Sequence, residues 1–475
     1  MYPMCLSMPP RISRIVQRTA FAVLLALTPS AVSAQRVRFG LPRDTVLVDE
    51  KLSIALANLP PNRAVTLELL SDSDEGRWTS SATFLSDRAG RIDLTRMAPI
   101  AGSYVGVDPM GLFWSARLDS SVPHLASTQP VALNPAPQPW ELRGESGGLT
   151  VATDTVWRRA IEPDVAVTLV RDRGLVGTFY QAPGGAPGPA VVALAGAGGG
   201  LLSAAEHPGG LASRGFSVLS LAYFASEGLP SQLSRIRLEY FETAIDWLST
   251  QPGVDPRRIG VLGISRGGEL ALLLGATYPQ VKAVVAYVPS HVVWAGCCDS
   301  VAQADAPWTY RGKPVPHMPP VPEIRRAINA LRHDTPIRRT PIFQRRLEDT
   351  ITVAQAAIPV ERINGPVLLI SGHDDQVWPS SFMAEQIIAR LRRHAFKHAH
   401  RHLAYSGAGH SIGRPYTSMM DIKNERHPIT RRVSDTGGSP SGTARASEDS
   451  WSKLLEFLEK YLRSSAAAAS SRSQN

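Results

Sequence analysis

Residues 259–270 constrain the fold of this chain more than any other stretch; they read Ile-Gly-Val-Leu-Gly-Ile-Ser-Arg-Gly-Gly-Glu-Leu. A short apolar run, typical of a fully buried strand, ends at Gly263, and a helix-favouring apolar segment begins after Gly267. Strand, Gly-x-Ser-x-Gly and helix in this order indicate a nucleophile elbow, a strained turn that holds a serine at the end of a strand. The two glycines leave room for the turn, and the helix N-terminus favours a developing oxyanion. Ser265 is therefore the predicted nucleophile.

The second half of the chain alternates apolar strand-like runs with helical segments. We predict a hairpin at residues 165–170 and 176–180, strands at 190–194, 216–222, 259–262, 281–288 and 367–370, and helices at 233–248 and 447–462. This alternation is typical of a mostly parallel sheet with helices on both faces. Together with the elbow, it predicts an α/β-hydrolase catalytic domain over residues 145–463.

The first part of the chain has a different, β-like pattern. Short candidate strands, separated by turn-forming clusters, lie at residues 45–48, 52–57, 65–69, 81–85 and 112–118. Their close spacing predicts an immunoglobulin-like β-sandwich over residues 35–140, and a proline-rich segment at 134–139 marks its predicted end. The region offers no nucleophile–base pair, so we interpret it as structural or substrate-framing. Residues 464–475, rich in Ala and Ser, are a predicted disordered tail.

The N-terminus has the pattern of a secretory signal peptide. Arg11, Arg14 and Arg18 precede an apolar core at residues 20–27, and small residues follow up to a predicted cleavage site near Ala34. The core is too short to span a bilayer stably, and a non-cleaved anchor is the alternative. We expect residues 1–34 to be removed and the mature chain to be periplasmic or secreted, with its formal charge reduced to +9 − 3 = +6. No basic run with interleaved aromatic residues indicates nucleic-acid binding.

Neither the cysteines nor the histidines form a recognisable metal pattern. Cys297 and Cys298 are adjacent, so they could form only a vicinal disulfide or stay as thiols, and the third cysteine would leave with the signal peptide. His398, His400 and His402 alternate along a predicted strand. An exposed basic strand edge is favoured there over a metal site, because no carboxylate or cysteine lies near in sequence. We expect no cofactor and no metal.

A nucleophilic serine needs a general base that is itself oriented by a carboxylate. In α/β-hydrolases these residues follow in the order serine, acid, histidine. The predicted strand at residues 367–370 runs into a turn with two aspartates, of which Asp375 is the preferred acid and Asp374 the alternative. His410, in a glycine-rich loop after a further strand, is the predicted base.

The same catalytic arrangement requires an oxyanion hole. One predicted donor is the backbone N–H of Arg266, the residue after the nucleophile. The second should come from the glycine-rich loop at residues 195–200, where Gly198 or Gly199 is the predicted donor. This loop lacks the lysine and the glycine spacing of a phosphate-binding loop.

Residues 291–360 interrupt the alternation of strands and helices. They contain a proline-rich stretch at 312–322 and a basic amphipathic stretch at 324–339. Because the insertion lies between two strands of the sheet, we predict a lid over the active site, with a surface excursion as the alternative.

Several segments are similar to the family of acyl-CoA thioesterases and bile acid-CoA:amino acid N-acyltransferases. They are residues 111–114, 198–202, 221–223, 238–241, 263–270, 358–361, 374–375 with Trp378, 407–412 and 415–416. The resemblance extends from about residue 37 to residue 462. It implies an N-terminal β-sandwich, a hydrolase domain, and Ser265, Asp375 and His410 as the catalytic triad.

The resemblance also implies a reaction class. Acyltransferase members of the family carry cysteine at the nucleophile position, so a serine at position 265 indicates hydrolysis of acyl thioesters or esters. Coenzyme A thioesters are intracellular, whereas this chain is expected to be exported, so the leaving group stays open. The alternatives are an exported carboxylesterase or peptidase of the same fold, acyl transfer to an amine, and a non-catalytic protein that binds an acyl ligand.

Overall fold

The computed structural model describes residues 36–73, 76–119, 136–202, 206–298, 305–320 and 330–463. The predicted signal peptide, the predicted tail at residues 464–475 and the first part of the amphipathic stretch, residues 324–329, lie outside the described residues. Within the described ranges, no helix is both long and apolar enough to cross a membrane.

The N-terminal region consists of short strands and one short helix. These are β1 (Arg38–Gly40), β2 (Thr45–Leu47), β3 (Ala55–Ala57), β4 (Ala64–Ser73), β5 (Gly76–Leu85), β6 (Ile92–Asp93), β7 (Ala101–Gly102), α1 (Gly111–Trp114), β8 (Arg117–Asp119), β9 (Gln138–Ser146) and β10 (Leu149–Arg159).

Two sheets pack face to face in this region. A three-stranded sheet has the order β1-β3-β6, and a seven-stranded sheet has the order β2-β10-β9-β4-β5-β7, with β8 paired to β5. Side chains along β4 alternate between buried and more exposed, as expected for a strand with one face on a core. The shared core includes Leu56, Leu67, Phe84, Leu142 and Val156. The prediction of an N-terminal β-sandwich is confirmed.

Two details of the predicted sandwich are wrong. Residues 112–118 lie in helix α1 and in β8, which follows it, because the backbone N–H groups of Trp114 and Ser115 donate to the carbonyl oxygens of Met110 and Gly111, four residues back, rather than to a neighbouring strand. The predicted boundary near residue 140 is also displaced. Strands β9 and β10 pair with each other, and they pair with β4 and β2, respectively, so the sandwich extends to Arg159.

The catalytic region follows. Its elements are β11 (Ala166–Val170), β12 (Val176–Gln181), β13 (Gly188–Leu194), α2 (Pro208–Ala212), β14 (Ser217–Ala222), β15 (Ile236–Arg237), α3 (Leu238–Ser249), β16 (Val254–Ile264), α4 (Arg266–Thr277), β17 (Val281–Tyr287), β18 (Trp308–Tyr310), β19 (Lys313–Pro314), α5 (Thr340–Arg346), α6 (Thr350–Ala356), a 3₁₀ turn (Val360–Arg362), β20 (Val367–Gly372), α7 (Ser380–Arg393), β21 (His400–Tyr405), β22 (Glu425–Arg426), β23 (Val433–Ser434), α8 (Pro440–Leu458) and a π-helical turn (Glu459–Arg463).

An eight-stranded sheet with the order β11-β12-β14-β13-β16-β17-β20-β21 forms the centre of this region. Strands β14, β13, β16, β17, β20 and β21 are parallel, whereas β11 and β12 form the predicted antiparallel hairpin. Apolar clusters cover both faces of the sheet. The predicted α/β-hydrolase architecture is confirmed.

One helix begins later than predicted. The sequence favoured a helix from residue 233, but α3 begins at Leu238. Leu233 instead exchanges backbone hydrogen bonds with Cys297, and Ile236–Arg237 pairs with β18, so tertiary pairing prevails over local helix propensity.

The sandwich packs directly against the catalytic region. Tyr416, Met419 and Ile422 of the catalytic region belong to the same apolar cluster as the sandwich core. Arg158 at the end of β10 donates from Nη1 to the carbonyl oxygen of Tyr416 at 2.9 Å. Its guanidinium group also lies over the ring of Phe113, 4.7 Å from the ring centre.

Candidate active site

Ser265 lies in a sharp turn between β16 and α4 and has φ 59° and ψ −117°. Such a conformation is strained for a residue with a side chain. The turn is possible because a Cβ atom at Gly263 would overlap the carbonyl group of Gly267, and one at Gly267 would overlap the carbonyl oxygen of Leu194. The predicted strand, turn and helix are all present, and the turn exposes the Ser265 hydroxyl to a cavity.

The three residues predicted as nucleophile, base and acid lie in one hydrogen-bonded row. The Nε2 atom of His410 lies 2.9 Å from the Oγ atom of Ser265, and its Nδ1 atom lies 2.8 Å from the Oδ2 atom of Asp375. Asp375 is buried at 2% exposure, whereas Asp374 is exposed. The geometry therefore favours Asp375 over Asp374 as the partner of the imidazole.

Asp375 is fixed by donors that surround its carboxylate. The backbone N–H groups of Val377 and Trp378 donate to Oδ1 at 2.9 and 3.2 Å. The hydroxyl group of Ser380, at the start of α7, donates to Oδ2 at 2.6 Å. These three hydrogen bonds hold the carboxylate in a single orientation, with Oδ2 directed toward His410. Sequence reasoning missed Ser380, although its position five residues after an acid at a helix start is a usable signal.

A segment after β23 holds the histidine loop in place. The backbone N–H of His410 donates to the carbonyl oxygen of Thr436 at 2.8 Å. Gly437 and Gly438 form bridges to Asp375 and Ala408, respectively, so this segment joins the acid loop to the histidine loop. Both glycines have positive φ values, 78° and 74°, and a side chain at either would overlap neighbouring backbone. No local pattern in the sequence predicts this role.

The glycine-rich loop at residues 195–200, the predicted source of the second oxyanion donor, lies beside Ser265. Gly196 faces the serine, since a Cβ atom there would lie 3.2 Å from the Cβ atom of Ser265, and Ala197 lines the cavity. The N–H of Gly199 already donates to the carbonyl oxygen of Gly196 at 3.1 Å. Gly198 lies against the ring of Pro428. Of residues 195–200, Ala197 lines the cavity, and the assignment of Gly198 or Gly199 as the donor stays a prediction.

A buried ion pair lies in the first turn of α4, directly after Ser265. The Nη1 atom of Arg266 donates to the Oε2 atom of Glu269 at 2.8 Å, and both side chains are almost fully buried. Glu269 also accepts from the indole N–H of Trp308 at 3.1 Å and from the backbone N–H of Trp294 at 3.2 Å. Burial raises the pKa of Glu269, and the neighbouring Arg266 opposes that shift. The pair therefore connects Arg266, the residue after Ser265, to Trp294 in the cavity wall.

The cavity beside Ser265 has a volume of about 690 Å³. Trp294, Phe343 and Trp378 form an apolar side, with the rings of Trp294 and Phe343 4.6 Å apart, edge to face. The cavity is also lined by four arginines, Arg266, Arg339, Arg346 and Arg432, and by His333 and His427. Many of the lining residues belong to residues 291–360, so the predicted insertion lies beside the serine rather than elsewhere on the surface.

The adjacent cysteines and the histidines of the predicted strand, which the sequence also singles out, lie apart from the Ser265–His410–Asp375 row. Cys297 and Cys298 are joined by a disulfide, and both line the cavity. The ring of His402 lies 2.7 Å from the hydroxyl group of Ser371, and burial lowers its pKa to about 4. Across the described residues, no cluster of three or more His, Cys, Asp or Glu side chains is arranged to hold a metal ion.

Family models match both parts of the chain. Residues 49–172 match the acyl-CoA thioester hydrolase/BAAT N-terminal region, and residues 236–464 match the BAAT/acyl-CoA thioester hydrolase C-terminal region. These regions cover most of the chain. The chain belongs to the acyl-CoA thioester hydrolase/BAAT family.

Curated relatives match over nearly their whole lengths. Acyl-coenzyme A amino acid N-acyltransferase 1 of Mus musculus is 31% identical, over 88% of this chain and 95% of the relative. Acyl-coenzyme A thioesterase 1 of Mus musculus is 30% identical, over 87% and 94%. Among solved structures, a dienelactone hydrolase-like phosphotriesterase from metagenomic libraries has 18% identity and a TM-score of 0.38, over 63% of this chain and 99% of that one. As a member of the acyl-CoA thioester hydrolase/BAAT family, this chain is an enzyme with an α/β-hydrolase domain.

Proposed function

We propose that this enzyme hydrolyses acyl thioesters or related acyl esters through an acyl-enzyme on Ser265. The observation that carries the proposal is the position of His410, whose two ring nitrogens lie 2.9 Å from the serine hydroxyl and 2.8 Å from the Asp375 carboxylate. A histidine between a nucleophile and an orienting acid is the arrangement that activates a serine.

In the first half of the proposed reaction, the Oγ atom of Ser265 attacks the acyl carbonyl carbon while the Nε2 atom of His410 accepts its proton. The carbonyl oxygen becomes an oxyanion, for which we propose the N–H groups of Arg266 and Ala197 as donors. When the carbonyl re-forms, the bond to the leaving thiol or alcohol breaks, and His410 donates the proton to it.

In the second half, a water molecule attacks the acyl carbon of the Ser265 ester, and His410 accepts the proton of that water. The bond to Oγ then breaks, and the proton returns to Ser265. The products are the free acid and, from the first half, the thiol or alcohol. Asp375 stays ionised throughout and keeps the Nδ1–H of the imidazole directed toward itself.

Hydrolysis is proposed over transfer to an amine because the nucleophile is a serine. The names of the relatives include both acyl-CoA thioesterases and acyl-CoA amino acid N-acyltransferases, so the acceptor has to be tested directly. We also propose export through residues 1–34, which leaves room for a leaving group other than coenzyme A.

A product analysis with an active-site probe tests this function. The purified chain is incubated with hexanoyl-CoA, hexanoyl-N-acetylcysteamine and p-nitrophenyl hexanoate, each with and without glycine, and the products are separated by mass spectrometry. We expect hexanoic acid in every case, and fluorophosphonate labelling of the wild type but not of Ser265→Ala. Hexanoyl-glycine as the main product would replace hydrolysis by acyl transfer, and an unlabelled wild type would indicate a binding protein.

A further inference from the structure

We propose that Tyr223 is a positioning residue that holds the glycine-rich loop at residues 195–200 in the orientation needed to stabilise the oxyanion. This role rests on the proposed function, because the loop stabilises negative charge only if an oxyanion forms beside it. Tyr223 is 1% exposed and is not among the described residues that line the cavity. It therefore acts through the loop and not by touching the substrate.

The hydroxyl group of Tyr223 binds the start of this loop. It donates to the carbonyl oxygen of Ala195 at 2.6 Å and lies 3.5 Å from that of Gly196. Because a peptide unit is planar, the carbonyl group of Ala195 and the N–H of Gly196 turn together. Holding the carbonyl therefore fixes the direction in which the chain continues from β13 into Gly196, the glycine that faces Ser265.

The backbone next to Tyr223 binds the other end of the loop. The N–H of Gly200 donates to the carbonyl oxygen of Phe224 at 3.1 Å. A Cβ atom at Gly199 would lie 3.2 Å from the ring of Phe224 and 2.6 Å from the Cβ atom of Ala225, so the loop lies directly on this segment. Residues 223–225 thus support the loop at both ends. Of these contacts, the one made by the Tyr223 hydroxyl can be removed by substitution without a change of backbone.

The ring of Tyr223 is held by a buried aromatic cluster. Its centre lies 5.6 Å from that of Phe241 and 5.7 Å from that of Trp308. The indole N–H of Trp308 donates to Glu269, the partner of Arg266. The cluster that orients the Tyr223 hydroxyl therefore also contacts the ion pair after Ser265, so both sides of the proposed oxyanion hole depend on it.

The Tyr223 hydroxyl stays protonated wherever the enzyme is active. Burial raises the pKa of Tyr223 above the value of about 10 that an exposed phenol has, and the neighbouring Arg266 opposes that shift without cancelling it. A group that does not titrate cannot change the pH profile of the reaction. Loss of a positioning hydroxyl should therefore lower activity by the same factor at every pH, whereas loss of a proton-transferring group would displace the profile.

Two substitutions of neighbouring tyrosines form a matched pair. Tyr223→Phe keeps the ring and removes the hydroxyl that binds the loop. In the control, Tyr240→Phe, the lost hydroxyl donates to the carbonyl oxygen of Ala222, also at 2.6 Å, and accepts from the N–H of Val176 at 3.1 Å. The control thus removes at least as much hydrogen bonding from the adjacent part of the sheet but none from the loop.

Kinetics with p-nitrophenyl hexanoate measure the effect of each substitution. We expect Tyr223→Phe to lower kcat about 10-fold between about pH 6 and 9, with KM within about 2-fold of the wild type, because the oxyanion exists only in the transition state and intermediates. Tyr240→Phe should keep wild-type kcat, although thermal melting should show a similar loss of stability in both variants. Equal kcat in the two variants, a loss confined to KM, or a displaced pH profile would overturn the proposal.

An inhibitor that forms an oxyanion measures the same contact without turnover. The Oγ atom of Ser265 adds to the carbonyl carbon of hexyl trifluoromethyl ketone, its proton passes to His410, and the carbonyl electron pair becomes the oxyanion. We expect Tyr223→Phe to raise the inhibition constant of this ketone about 10-fold and to leave that of hexanamide, whose carbonyl stays uncharged, unchanged. Equal changes for the two inhibitors would overturn the proposal.

Amide hydrogen exchange keeps this result separate from that of the proposed hydrolysis. Exchange is followed by mass spectrometry on the peptide that contains residues 195–200. Those amides should exchange about 10-fold faster in Tyr223→Phe than in the wild type or Tyr240→Phe. Equal rates would overturn the proposal even if Ser265→Ala abolished turnover. Faster exchange in Tyr223→Phe together with full turnover by Ser265→Ala would support the role of Tyr223 in holding the loop and contradict the proposed function alone.

Discussion

The Nε2 atom of His410 lies 2.9 Å from the Oγ atom of Ser265, although 145 residues separate the two along the chain. The contact arises because β16 and β21 are parallel members of one sheet, so the loops after them lie at the same edge. Strand β20, next to β21, delivers Asp375 at that edge. Small displacements of any of these loops would separate the three side chains.

Ser380 is predicted to act as a positioning residue for the acid. Its hydroxyl group donates to the Oδ2 atom of Asp375 at 2.6 Å, the same oxygen that faces His410. Ser380→Ala should lower kcat about 10-fold or more, because a hydrogen bond to a charged group is worth about 1.5–3 kcal/mol. Steady-state kinetics over a range of pH values would measure the loss and any displacement of the kcat profile. The matched control is Ser381→Ala, whose hydroxyl group contacts His373 instead. Equal effects of the two substitutions would refute the assignment.

Gly409 is predicted to tolerate no side chain. A Cβ atom there would overlap the carbonyl group of Gly437, in the segment that joins the histidine and acid loops. Gly409→Ala should therefore displace His410 and lower kcat by about 100-fold, the effect expected of a misplacement of about 1 Å.

Gly413→Ala is the control for this substitution, because the nearest atom to its added Cβ would lie 3.9 Å away. Circular dichroism and thermal melting of both variants would separate a displaced loop from a failure to fold. A Gly409→Ala variant with wild-type kcat would show that the backbone packing does not position the histidine.

Glu269 is predicted to be essential for stability. Glu269→Gln removes the charge that neutralises Arg266 and leaves a buried guanidinium without an anionic partner. Breaking a buried pair in this way should lower the free energy of unfolding by about 3–5 kcal/mol, as measured by denaturant titration. Asp334→Asn, which breaks an exposed pair with Arg332, should leave the free energy of unfolding nearly unchanged. Similar small losses in both variants would contradict the role given to the buried pair.

His207 is predicted to make the fold sensitive to acid. Its ring is 1% exposed and packs against Tyr287 and Trp451, and burial lowers its pKa to about 3. In the unfolded chain an imidazole titrates near pH ~6.5. As the pH falls from about 6.5 toward 3, the unfolded state binds a proton that the folded state does not, so the free energy of unfolding decreases by up to about 1.4 kcal/mol per pH unit.

Replacing His207 by Phe should reduce that slope but not abolish it, because the substituted side chain cannot bind a proton in either state, whereas His402 and His427 also have lowered pKa values. Denaturant titrations of the wild type and His207→Phe at several pH values between 7.5 and 4.5 would give the two slopes, whatever the absolute stability of the variant. Identical slopes would contradict the assignment of acid sensitivity to this residue.

The elements that the sequence predicted well are those whose signal is local. The turn around Ser265 has glycines where side chains cannot fit, and the strands of the parallel sheet are continuous apolar runs. The hairpin of β11 and β12 was also predictable, because turn-forming residues separate its two strands. In each case, the structure of the element depends on steric and burial requirements that are visible in the residues of that element itself.

The features that sequence reasoning missed depend on distant pairings. Strands β9 and β10 belong to the sandwich because of their partners β4 and β2, which no local pattern near residue 140 reveals. The position of Gly198 against Pro428, and of Gly199 near Phe224, follows from how the loop at residues 195–200 folds. Likewise, the link between the acid and histidine loops depends on the pairing of Gly437 with Asp375, 62 residues apart in the chain.

The central claim is that Ser265 carries the acyl group during turnover. Its most direct test is a rapid-quench reaction with hexanoyl-N-acetylcysteamine, followed by intact-mass and peptide mass spectrometry of the wild type and Ser265→Ala, with kcat measured in parallel. We expect a transient hexanoyl adduct on the peptide that contains Ser265, no adduct on the variant, and a loss of kcat of at least about 10⁴-fold. Turnover by Ser265→Ala at a comparable rate, or an adduct on another residue of the wild type, would contradict it.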